Sequence, residues 1–140
     1  MRNRILAIVG LALLAAVSAS AQIPQTADVN VPFDFQAGDW HMPAGTYHIS
    51  RPGTLLFSLR GPGNVSAYVV THRETAKTVA DQGYLLFHEI GGHYYLGGIW
   101  SAGSADGMEC FPGKAEKEAL KSSNPRPSFT TLALSTVPAR

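Results

Sequence analysis

The chain has 140 residues, 11 basic and 10 acidic side chains and a formal charge of +1. That length supports one domain with a single core and is short for two. A balanced charge lacks the clustered Lys and Arg that nucleic acid or anionic lipid rewards, so nucleic-acid binding is not expected.

The first residues carry the pattern of a secretory signal peptide over 1–21. Arg2 and Arg4 supply the charged start, Ile5 to Val17 an apolar run too short to cross a bilayer, and Ala19-Ser20-Ala21 a small-residue cleavage site before Gln22. Cleavage there leaves nine basic against ten acidic side chains, and the mature chain is expected in the periplasm or outside the cell. No later apolar run approaches the roughly 20 residues of a membrane helix, so no transmembrane anchor is expected after processing. The strand pattern below is too short and sparse for an outer-membrane barrel. Cys110 is the only cysteine. It excludes an intramolecular disulfide and leaves two readings, an inert packed thiol or a bridge between chains.

Residues 22–27 read as a flexible start, 28–122 as a β domain ending in a short helix, and 123–140 as a Pro-containing tail. Val29, Val31, Phe33 and Phe35 alternate with Asn30, Pro32 and Asp34, which predicts one strand with an apolar face, and Pro32 predicts an edge position. Gln36 to Asp39 and Met42 to Gly45 suit turns. Thr46 to Ser50 and Thr54 to Arg60 then predict a hairpin, with Leu55, Phe57 and Leu59 on one face, stopped by Gly61-Pro62-Gly63-Asn64.

Val65 to Thr71 predicts a further strand, and the polar run His72 to Gln82 a connection that extends the strand or forms a helical turn. Tyr84 to Ile90 and His93 to Trp100 form the strongest pair, joined by Gly91-Gly92, a dipeptide suited to the positive φ angles of a two-residue hairpin turn. That turn pairs Ile90 with His93, Glu89 with Tyr94 and His88 with Tyr95. Large apolar groups on both faces predict a central hairpin covered on each side, or one that belongs to a barrel with a second layer outside. Met108 to Phe111 predicts a short return strand. Lys114 to Ser122 predicts a helix, with Glu116 and Glu118 early and Lys121 late as the helix dipole favours; Ala115, Ala119 and Leu120 are its docking candidates. Phe129 to Val137 predicts either a last strand or a tail.

Three stretches, Val31-Pro32-Phe33-Asp34-Phe35 with Gly38, Met42-Pro43-Ala44-Gly45-Thr46-Tyr47, and Leu86-Phe87-His88 with Tyr95-Leu96 and Ile99-Trp100, precede Lys114-Ala115-Glu116-Lys117-Glu118. Together they resemble an uncharacterised family of small exported bacterial β proteins with no established activity. The resemblance spans roughly residues 29 to 120. It implies export and a β fold, and it transfers no catalytic or binding residue.

The most tempting chemistry is His88-Glu89-Ile90-Gly91-Gly92-His93, one residue longer than the zinc-protease pattern His-Glu-x-x-His. That motif needs histidines four apart on one helical face, and here the spacing is five across a Gly pair. On a hairpin, His88 and His93 lie diagonally on one face and lack a third ligand. His41 and His48 flank the Pro43 turn with the same deficit, and His72 reads as a loop residue. Ser58, Ser66, Ser101 and Ser104 sit in no nucleophile elbow. Asp34, Asp39, Glu74, Asp81, Glu89, Asp106 and Glu109 pair by no spacing rule. Trp40, Tyr47, Tyr68, Tyr84, Tyr94, Tyr95 and Trp100 are the positive hint, because rings left outside a core can form a binding surface.

These observations predict an all-β, mainly antiparallel sandwich or small barrel of about six to eight strands with one short C-terminal helix. The expected role is a non-enzymatic binding or structural component of the bacterial cell envelope, with a protein or envelope partner and no cofactor. One alternative is a barrel that carries an apolar ligand among Phe33, Phe57, Leu85 and Phe87. A second is a metal-dependent hydrolase at His88 and His93.

Overall fold

The computed structural model describes residues 26–122 and 126–136. Residues 1–25, which include the expected cleavage-site residues Ala19, Ala21 and Gln22, residues 123–125 and residues 137–140 lie outside the described residues. The strands are β1 (Thr26–Val31), β2 (Phe35–Ala37), β3 (Trp40–Met42), β4 (Gly45–Gly53), β5 (Leu56–Arg60) and β6 (Ser66–Thr75). They continue with β7 (Tyr84–Ile90), β8 (His93–Trp100), β9 (Asp106–Cys110), β10 (Ser128–Ala133) and β11 (Ser135–Thr136), and α1 spans Lys114–Ser122 between β9 and β10. The fold is all-β with one short helix near the C-terminus. Eight strands have five residues or more, and β2, β3 and β11 are short additions to the expected six to eight.

The hydrogen-bonded path runs β10, β7, β8, β9, β6, β5, β4, β1, β11, with the β2–β3 hairpin attached to β8. Its pairs are antiparallel except that of β2 on β8. Both ends of the path belong to one stretch of chain, because β10 and β11 are separated by Leu134 alone. Leu134 is buried, its amide donates to Gly83 O at 2.8 Å, and its carbonyl accepts from Gln82 Nε2 at 3.2 Å. Phe129 to Thr136 is therefore strand, serving the β7 edge and the β1 edge in turn, and the sheet stops short of a continuous closed ladder.

Two expectations about the first strand are corrected. Val31 ends β1, and Phe35 begins a separate strand, because Pro32 lacks the amide a continued ladder needs. Nor is β1 an edge, since β4 pairs with it on one side and β11 on the other. Pro32 lies beyond the paired residues and so imposes no edge. The strand also starts at Thr26, inside the expected flexible segment. Leu55 departs from the face assigned to Phe57 and Leu59: it precedes β5 and is 42% exposed. His72 to Thr75 extend β6, where they pair with β9.

The β7–β8 hairpin has the expected register, Ile90 to His93, Glu89 to Tyr94 and His88 to Tyr95, and Gly91 and Gly92 turn it with φ of +58° and +79°. A register shift opposite Leu86 and Phe87 leaves Gly97 as the extra residue. The bulge lets Leu96 and Ile99 both reach the core despite their odd spacing.

Phe87 sits at the centre of that core, fully buried. Its ring meets Phe33 and Phe35 edge-on at 5.1 and 5.2 Å, Phe35 meets Tyr47 at 5.2 Å, and Phe33 stacks on Tyr94 at 3.8 Å. A void among Ile49, Phe57, Leu59, Val69, Leu85 and Ile99 measures about 10 Å³, room for one water at most. Phe87→Ala should lower stability by about 3–5 kcal/mol in urea titration. Leu55→Ala should change it by no more than about 0.5 kcal/mol.

Candidate functional site

Helix α1 is the first feature built around chemistry. Its amide at Lys114 donates to Asp39 Oδ1 at 2.8 Å, which ties its first turn to the β2–β3 hairpin. Gly113 lies so close to that hairpin that a Cβ there would stand 2.2 Å from Gly38 O. The expected docking residues are corrected: Ala115 is exposed and Leu120 is 48% exposed, leaving only Ala119 partly buried. The residue that docks is Glu116, 5% exposed, whose Oε1 lies 2.6 Å from His88 Nδ1. A helix with too few apolar residues for a stripe is held to the sheet by a polar contact instead.

The His88 ring lies over Gly97, where a Cβ would come within 2.7 Å of Nε2, and Phe129 stands edge-on to it at 5.3 Å. Tyr95, paired with His88 across the strands, is buried on the same outer face. Burial raises its phenol pKa, and the Glu116 charge raises it further. His93 is exposed beside the turn and does not share this site. Among the described residues no group of three or more His, Cys, Asp or Glu could hold a metal ion. The structure therefore joins His88 to Glu116, a partner 28 positions away, and gives the His88 and His93 pair no ligand set.

His41 and His48 each face a carboxylate. His41 Nε2 lies 4.0 Å from Asp34, and His48 Nδ1 lies 2.7 Å from Asp28 Oδ1 in an exposed pair. His72 belongs to β6, with the exposed Phe111 ring 4.8 Å away. Three of the other candidate carboxylates accept hydrogen bonds: Asp34 from the Ala44 amide, Asp106 from Thr75 and Glu89 from Ser128. Ser101 is buried, and its hydroxyl has no partner among the described residues. Cys110 is buried in the core. Burial, then the charges of Glu116 and Glu109, push its thiol up to about 12, so it is neither a nucleophile nor a ready bridge.

The seven singled-out aromatic residues divide clearly. Tyr47, Tyr95 and Trp100 are buried, Tyr84 and Tyr94 are half-buried, and Trp40 and Tyr68 stand out at 59% and 64% exposed. The Tyr47 hydroxyl donates to Pro43 O, and burial followed by the nearby Asp34 charge raises its pKa. Tyr68 has company. Val70, the next outward residue of β6, is 59% exposed, Leu56 pairs with Val70 from β5, and His72 with Phe111 continues the stripe toward β9.

The sequence hinted at exposed rings without locating them. It missed the His48–Asp28 and His88–Glu116 contacts, since each depends on strands or a helix brought together from a distance. Compared with known proteins, the chain matches no family model, no curated protein and no solved structure.

His88→Ala should destabilise the fold by about 1–3 kcal/mol, because it strands a buried carboxyl group. Glu116→Ala should cost less, since the His88 side chain it leaves is 23% exposed against 6% for Glu116 and can turn to water; paired urea titrations decide the order. Cys110 should resist iodoacetamide in the native protein at pH 8 and react once unfolded. Its folded pKa lies above its unfolded value of 9.0, so the stability linked to this thiol is full below pH 9 and is lost as pH rises toward 12. Cys110→Ala should flatten that alkaline decline.

Proposed function

We propose that this chain is an exported, non-catalytic binding domain of the bacterial cell envelope whose working surface is the outer face of β4, β5 and β6. The observation that carries the reading is the exposure of Tyr68 and Val70, at 64% and 59%, side by side on the outer face of β6 where it pairs with β5. Large apolar groups on a continuous flat face mark contact surfaces. The leader-like start and the resemblance to small exported β proteins support export. Among the described residues no helix is long and apolar enough to cross a membrane.

An apolar-ligand carrier has less support. Phe33, Phe57, Leu85 and Phe87 pack into the core, and the void beside them is about 10 Å³, where ligand pockets hold roughly 300–1,000 Å³. A hydrolase reading at His88 and His93 has less support, because among the described residues no group of three or more His, Cys, Asp or Glu could hold a metal ion.

The test is made in cells with a photoreactive residue in place of Tyr68. The protein should be recovered outside the cytoplasm without residues 1–21 and should crosslink to an envelope component. The same group in place of Lys117, exposed on α1, should not crosslink. A cytoplasmic protein that keeps its leader, or equal crosslinking from both positions, would contradict the reading.

A further inference from the structure

We propose that two copies of this chain join edge to edge through residues 66–70 of β6, which carries one sheet across both copies and doubles the outer face. The inference goes beyond the binding role and does not depend on it. Strand β6 serves two neighbours in turn, because residues 66–70 pair with β5 and residues 71–75 with β9. No third strand pairs with β6 among the described residues.

One hydrogen bond fixes which way the backbone groups of β6 point. The Thr71 amide donates to Leu55 O at 2.9 Å, on the β5 side. Backbone groups alternate sides along a strand, so Ala67 and Val69 also face β5, while Ser66, Tyr68 and Val70 turn their amides and carbonyls the other way. On that side β9 pairs only as far as Cys110, opposite Thr71. The chain then leaves through Pro112, which has no amide to carry a ladder further. Tyr68 and its neighbours thus present a bare strand edge.

An edge of main-chain donors and acceptors is matched by another extended backbone, and the character of this edge selects a second copy. Exposed edges are commonly guarded by a charge, a proline or a bulge; Ser66-Ala67-Tyr68-Val69-Val70 has no charge and no proline, and its pairing with β5 has no register shift. The bare length is that of the five residues paired with β5 alone, closed at one end by β9. A strand that fills it must turn aside where β9 begins. This chain holds such a strand, because Ser66 follows directly on the turn at residues 61–65, where the Gly61 amide donates to Val65 O at 2.8 Å and Asn64 has a φ of +61°. A two-fold axis at Tyr68 sets Tyr68 against Tyr68 of the second copy and Ser66 against its Val70. The Tyr68 and Val70 side chains, 64% and 59% exposed in the single chain, then lie in one apolar patch with their counterparts. The outer face stays open, so the second copy adds its own Tyr68 and Val70 to the contact surface.

The experiment is sedimentation velocity of the mature chain, residues 22–140, from about 10 µM to about 1 mM, because so short a contact implies a Kd on the order of 100 µM. A monomer–dimer equilibrium should be seen. Tyr68→Lys and Tyr68→Glu each set like charges against one another across the axis and should weaken it at least about tenfold with an unchanged urea midpoint; mixing the two variants should restore pairing. Tyr68→Cys should give an interchain disulfide under mild oxidation, since the paired Cα atoms stand about 5.5 Å apart. Ser58→Cys, one strand inward, should not. A monomer throughout, a dimer indifferent to Tyr68→Lys, mixed variants that stay apart, or no preference for Tyr68→Cys over Ser58→Cys overturns the proposal. If it is overturned while a photoreactive group in place of Tyr68 still captures an envelope component, the proposed binding surface stands; a dimer without such capture removes that reading and keeps this one.

Discussion

The contact on which the rest of this structure depends is the ring cluster around Phe87. It joins Phe35 of β2, Tyr47 of β4 and Tyr94 of β8, with Phe33 between them. β2, β7 and β8 are paired neighbours, whereas β4 lies well along the hydrogen-bonded path from them, so the packing of Phe35 on Tyr47, and not the ladder, holds these opposed parts of the sheet together. The period-two rule transmits that choice outward. With Phe57, Leu59, Ala67 and Val69 committed to the interior, Ser58, Arg60, Ser66 and Tyr68 have no option but the outside.

The two outer faces are treated differently. On the outer face of β7 and β8, α1 docks on His88 and the Tyr84 ring stacks on Trp100, and outward residues such as Tyr95 and Trp100 are buried. Over β5 and β6 outward residues stay in solvent. A roof fastened by Glu116 to His88 has a defined angle, because a hydrogen bond of 2.6 Å is directional where an apolar contact is not. The cost of taking a carboxyl group out of water is offset by its imidazole partner.

Local patterns were readable where the chain decides its structure locally. Gly91-Gly92 announced a hairpin and its register, and Lys114 to Ser122 announced a helix with the bounds observed. Illegible features were those settled at a distance. The parallel pairing of β2 with β8 leaves no mark in the sequence of either strand, and Pro32 as an edge signal competed with Pro32 as a break. For α1, the pattern rightly suggested a helix and wrongly suggested alanines and a leucine as its anchor, since nothing local says that a histidine waits on β7. The alignment of Asp28, His48, Arg60 and Ser66 in one row is settled only by the registers of three separate strand pairs.

The stretch from Ser128 to Thr136 has a consequence for assembly. A chain delivered N-terminus first exposes the free edges of β7 and β1 until this stretch arrives, because both take their partner from it. Until then each edge is open to stray strands. Completion is thus a single late event that seals two seams.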